Sequence, residues 1–227
     1  MRFIKSVRTS VYLQQFILFL LLLNAVSIAL LLFRIAATDS GRYWFMLWNL
    51  FLAWVSVPIV VVIGEQLRVL RWKSPKIILL SALWLLFLPN SFYVISDLIH
   101  LRASGEVSIL YDALLLASFA VNGVIAGLIS LFLMHHLLLK HLKVVYAHRI
   151  IGASIVLSGF AIYLGRTLRW NSWDVVANPT GLLFDVSDEL INPLTHPQVL
   201  VTTLTFSAFI GALYGVVYTG HRLLKRT

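Results

Sequence analysis

VYLQQFILFLLLLNAVSIALLLF, running from Val11 to Phe33, holds twenty-three residues without one charged side chain. A helix rising 1.5 Å per residue needs about 20 residues to cross the ~30 Å hydrocarbon core of a bilayer, so this run suffices. Arg2, Lys5 and Arg8 precede it, as basic residues precede a signal peptide. The apolar core is too long for such a leader, and no small-residue cleavage site closes it. It reads as a retained span.

Five more stretches share its character: Tyr43–Ile63, Ile77–Ser96, Ile109–Leu138, Ile150–Leu168 and Leu200–Thr219. None alternates apolar with polar residues as a barrel strand would, so each is expected as a helix. The composition agrees, with 60% of 227 residues hydrophobic and 12% charged. A soluble domain carries about a quarter of its residues as charges. The absence of cysteine excludes thiol catalysis, thiolate metal ligation and disulfides. The expected fold class is all-α: one transmembrane domain over residues 1–227, an integral membrane bundle of six transmembrane helices.

The positive charge orients the bundle. Thirteen of the eighteen Lys and Arg fall at the two termini and in the second and fourth loops, among them Arg68, Lys76, Lys143 and Arg222. Arg34, Arg42, Arg102, Arg166 and Arg169 fall on the other side. The positive-inside rule therefore predicts both termini in the cytoplasm. It also explains the net charge of +9, which in a soluble protein would suggest nucleic acid. No nucleic-acid partner is expected, since that footprint needs a basic face; the expected partner is the lipid bilayer. All acidic residues but Glu65 gather on the outer side. In the last outer loop, Leu183, Val186, Leu190 and Leu194 recur at near-helical spacing opposite Asp185, Asp188 and Glu189. That pattern predicts a short amphipathic helix on the outer surface.

Polar chemistry appears first after Pro89. Twenty residues separate Lys76 from Asp97, about 30 Å of helix, so these charges mark the two membrane surfaces. Pro89 cannot donate to the carbonyl of Leu85, and Asn90 or Ser91 is expected to satisfy a carbonyl freed there. Asn90, Tyr93, Asp97 and His100 are spaced 3, 4 and 3 apart and share one helical face. A stripe that polar should face other helices or a water-filled cavity. It is either a hydrogen-bonded packing seam or a site. Asp97 and His100 lie one turn apart, and a hydrogen bond between them explains the pair better than a metal. No metal site and no cofactor are expected.

A second cluster, YLGRTLRWNSWD from Tyr163 to Asp174, follows the fifth span. Only sixteen residues separate Arg149 from Arg166, about 24 Å, so Arg166 should lie a turn below the outer surface with Arg169 at it. A cation at that depth needs a partner. Arg166 or Arg169 is expected to pair with Asp97 or Asp112. Trp170 and Trp173 suit the aromatic belt at headgroup level, but two arginines beside Asn171 and Asp174 suit recognition of phosphate or carboxylate.

LPNSFYVISDLIHL (Leu88–Leu101), Tyr111-Asp112 and the RWNSWD block together resemble domain of unknown function thirteen-sixty-one, a family of bacterial multi-pass membrane proteins. The likeness runs from about Trp48 to Tyr218. The resemblance implies residence in a bacterial cytoplasmic membrane and brings no catalytic residues. Where the family pattern has Ala-Pro before the tyrosine, this chain has Ser91-Phe92, which implies a milder kink.

Weaker signals complete the reading. Gly123-xxx-Gly127 and Gly211-xxx-Gly215 suit close helix packing within the bundle. Asn24, Asn49 and Asn122 suit interhelical hydrogen bonds, and His135, His136, His141 and His148 are expected on the cytoplasmic surface. There is no phosphate loop, nucleophile elbow or zinc-protease helix. Three functions stay open. The first is an outer pocket recognising an anionic lipid headgroup or lipid-linked substrate, with Arg166 and Arg169 on the anion. In an enzymatic version His100 would be the acid/base and Asp97 its orienting partner. The alternatives are a small-solute or ion transporter, and a non-catalytic subunit of a membrane assembly.

Overall fold

The apolar runs fold as helices where the sequence predicts them. The computed structural model describes residues 2–103, 105–191 and 195–225, with side chains described from Gln14 onward except that of Leu190. The side chains of Arg2, Lys5 and Arg8, together with Arg226, Leu194 and the side chain of Leu190, lie outside the described residues. The long helices are α1 (Arg2–Thr38), α2 (Phe45–Gln66), α3 (Pro75–Ser96), α4 (Ile109–His141), α5 (Val144–Thr167) and α8 (Pro197–Leu224). Among the described residues these six are long and apolar enough to cross a membrane. Between α5 and α8 run the single turn α6 (Asp174–Ala177) and the helix α7 (Pro179–Ile191).

The third and fourth spans form the centre. α3 packs on α2, α4 and α5, while α1 leans on α4 and α8 on α5. The close approach of α3 and α4 depends on two glycines. A Cβ on Gly123 would stand 2.5 Å from the carbonyl oxygen of Ser91, and one on Gly127 would stand 2.5 Å from the Phe92 ring. Only the absent side chain allows that fit. Gly211 and Gly215 differ: a Cβ there meets nothing within 4 Å, so this second pair makes no close contact inside the bundle.

Pro89 does not break α3, which runs unbroken from Pro75 to Ser96 and then tightens into a 3-10 turn over Asp97–His100. The carbonyls near the proline find side-chain donors. Asn90 Nδ2 donates to the Phe87 oxygen at 3.1 Å, and Ser172 Oγ, from the loop after α5, donates to the Leu86 oxygen at 3.2 Å. Ser91 turns away from its own helix and donates to the Ala53 carbonyl of α2 at 2.5 Å.

The asparagines join helices as expected. Asn122 donates to Ser27 Oγ at 2.8 Å, and Asn24 accepts from Trp54 Nε1 at 3.0 Å. The histidines require a correction. His135 is buried against α8, 2.6 Å from the Tyr214 hydroxyl and stacked on Tyr218 at 4.8 Å. His135 lies inside the span Ile109–Leu138 rather than in the loop after it, on the face of α4 that α8 covers. His141 and His148 are exposed, as the surface reading requires.

α7 is amphipathic, with Asp185 and Glu189 turned inward and Asp188 exposed. Trp170 Nε1 donates to Asp185 at 2.8 Å and the Tyr163 hydroxyl to Glu189 at 2.9 Å, so Glu189 is buried. Leu183, Phe184 and Ile191 face outward. A helix whose polar groups bond to the bundle and whose apolar residues point away suits the headgroup boundary of a bilayer.

Candidate functional site: a charged cavity where α2, α3 and α5 end

The α3 stripe and the segment after α5 meet at the end of the bundle that carries Asp97, hereafter the acidic end. Between them opens a cavity of about 650 Å³, and Asn90, Tyr93, Asp97, His100 and Arg166 all line it. Helical spacing, carried on through the 3-10 turn, puts Asn90, Tyr93, Asp97 and His100 on one wall. Arg166 reaches that wall from the last turn of α5.

Arg166 is the hub. Its Nη2 donates to Asp97 Oδ1 at 2.6 Å, and its Nε and Nη2 donate to Ser96 Oγ at 3.0 and 2.5 Å. Its Nη1 lies 3.2 Å from His100 Nε2, and its guanidinium sits 4.5 Å above the Tyr93 ring. A guanidinium can only donate, so His100 Nε2 accepts and the imidazole proton belongs on Nδ1. Asp97, with 2% of its side chain exposed, takes its second hydrogen bond from Asn49 Nδ2 at 2.8 Å. Asp97 is therefore held by α2 and α5. No hydrogen bond joins it to His100 among the described residues, because Arg166 stands between the two. The dyad drawn from the i,i+3 spacing is not built.

The remaining wall is aromatic and amide. Phe45, Trp48, Trp170 and Trp173 line it together with Asn171 and Ser172. Asn90 Nδ2 donates to Ser172 Oγ at 2.9 Å, pinning the RWNSWD loop to α3. Trp48 and Trp173 stand 6.2 Å apart by ring centroid. The loop starts from a sharp turn in which Arg169 takes φ 62° and the Trp170 N–H bonds to the Leu164 carbonyl at 3.1 Å. A left-handed residue ends many helices, usually as glycine.

Three predicted residues play other parts. Arg169 is exposed and does not line the cavity. Asp174 accepts the Asn171 backbone N–H at 2.6 Å and holds the loop's shape. Asp112 is buried in a separate network with Arg34, whose Nε donates to it at 2.7 Å. Arg34 Nη2 also donates to Glu106 at 2.9 Å, and the Tyr43 hydroxyl lies 3.4 Å from Asp112 and 3.3 Å from the His100 carbonyl. The two networks thus adjoin through Tyr43. The expected pairing falls to Arg166 and Asp97, while Asp112 takes a partner the sequence reading passed over. Arg34 follows the apolar run and so reads as an outer-loop residue. Helix α1 continues to Thr38 and draws it inside the bundle. Asn49 makes the interhelical hydrogen bond expected of it, and because its acceptor is Asp97 it belongs to the site as well. Among the described residues, no group of three or more His, Asp or Glu is placed to hold a metal.

Six apolar helices, of which α2, α3 and α5 line an end cavity with a charged floor, define a multi-pass helical membrane protein with a polar pocket at one end. The chain belongs to the family described as Protein of unknown function (DUF1361), which matches residues 48–213. No curated protein and no solved structure matches it.

Proposed function

We propose that this is a bacterial cytoplasmic membrane protein whose acidic end faces outward, and that the cavity binds the phosphate-bearing headgroup of an outer-leaflet lipid or lipid-linked molecule. The outward orientation rests on the thirteen Lys and Arg at the opposite end. The observation that carries the binding reading is an arginine on the wall of an open cavity rather than in a packed seam. Arg166 keeps 20% of its side chain exposed, and its planar fork is suited to phosphate. Tryptophans at the rim suit headgroup depth.

Transport draws less support. A second hollow of about 320 Å³ lies between α3, α4 and α5, lined by Trp72, Leu85 and Met134 among others, and it shares no lining residue with the first. Catalysis by a His100–Asp97 pair lacks the bond that would orient the ring.

The test is lipid retention by full-length protein in detergent, followed by native mass spectrometry. Wild type should hold one phospholipid, and Arg166→Gln should weaken that binding about tenfold, in line with loss of a charge-assisted bond. Arg169→Gln should leave it unchanged. Equal retention by Arg166→Gln and wild type would overturn the reading.

A further inference from the structure

The charges of the cavity constrain the headgroup further, an inference that rests on the binding reading above. Arg166 and Asp97 line it, one cation and one carboxylate, and they are in contact at 2.6 Å. The guanidinium has five N–H groups. Four are engaged: one on Nε with Ser96, two on Nη2 with Ser96 and Asp97, and one on Nη1 with His100. One N–H on Nη1 remains, and it is the donor the guanidinium has left for a phosphate oxygen.

A phosphate on that donor would share Arg166 with Asp97. Two anions would then surround one cation, in a cavity where Asp97 is almost fully withdrawn from solvent. Pulling Arg166 wholly onto the phosphate is no better, because it leaves Asp97 a buried carboxylate with Asn49 as its remaining donor. Removing one partner of a buried pair is strongly unfavourable. A headgroup with negative charge alone therefore fits poorly. One that brings a positive charge of its own restores neutrality, and the wall offers that charge a place. Trp48 and Trp173 meet at 6.2 Å and are respectively 52% and 43% exposed, so their ring faces are accessible. The Tyr93 face is already covered by Arg166. Indole faces attract ammonium groups.

We infer that the ligand is zwitterionic: a phosphate ester that also bears an ammonium group, the phosphate on Arg166 and the ammonium against Trp48 and Trp173. Aminated phospholipids and polyprenyl-linked amino-sugar phosphates share this chemistry.

The experiment titrates full-length protein in a neutral sugar detergent with phosphatidylethanolamine and with phosphatidylglycerol of identical acyl chains, read by native mass spectrometry. The ethanolamine lipid should bind at least tenfold more tightly. In the Trp48→Leu/Trp173→Leu protein the ratio should fall below threefold, with phosphatidylglycerol binding unchanged. Equal binding of the two lipids by wild type, or tighter binding of phosphatidylglycerol, overturns the zwitterion. The headgroup reading survives that result if Arg166→Gln still weakens binding about tenfold. Failure of wild type to bind either lipid overturns both. Because the decisive ratio is measured on wild type, instability of the variant does not spoil the test. Soluble glycerophosphoethanolamine separates the sources: displacement of the lipid shows that the headgroup alone is recognised, and no displacement shows that the chain is needed.

Discussion

Arg34 has no exposed side-chain surface, yet it carries a full charge among the ends of α1 and α4. Its bonds to Asp112 and Glu106 keep that charge tolerable, and one of its nitrogens, Nη1, has no hydrogen-bond partner among the described residues. A buried ion pair of this kind is weak evidence of net stabilisation, but breaking it on one side is costly. Asp112→Asn should therefore lower stability by about 3–5 kcal/mol, seen as earlier thermal unfolding in detergent. The double variant Arg34→Met/Asp112→Leu should regain most of that loss, since it removes both charges together. If the double variant is as unstable as the single one, the pair stabilises by more than mutual compensation. Arg166 and Asp97 follow the same physics with a different consequence. Their site is open, so a ligand can take part in the charge balance.

At the scale of helices, the fit of α3 to α4 depends on two missing side chains. Gly127→Leu drives atoms into the Phe92 ring, and overpacking of this kind costs about 1–3 kcal/mol or more. Gly211→Leu, with nothing within 4 Å of its Cβ, should change the unfolding temperature by little. Equal losses in the two variants would contradict the packing described. The pair of predictions also shows what a sequence can carry. Both glycine motifs read alike along the chain, and only the neighbouring helix distinguishes them. Periodicity was enough to put Asn90, Tyr93, Asp97 and His100 on one wall, because a single helix fixes those relations. It could not supply Asn49 for Asp97, Arg34 for Asp112 or Ser172 for the Leu86 carbonyl, because each joins segments far apart in the chain. The spacing of Asp97 and His100 was legible, but not the arginine that comes between them. Proximity within a helix is a weaker constraint than the arrival of a stronger donor from another.

For the whole molecule, apolar run lengths were sufficient to count the spans, and the distribution of charge separated a basic end from an acidic one. The placement of α1 and α8 at the edges, α1 against α4 and α8 mainly against α5, follows from packing that the run lengths do not encode. The account requires that the cavity open on the side of the membrane away from the thirteen basic residues. The chain has no cysteine, so single introduced thiols report position without background. In intact cells producing the protein, a membrane-impermeant maleimide should label Asn171→Cys at the cavity rim and should leave Lys143→Cys, at the basic end, unlabelled until the membrane is permeabilised. The reverse pattern, with Lys143→Cys reacting in intact cells and Asn171→Cys protected, would place the cavity in the cytoplasm and contradict the account.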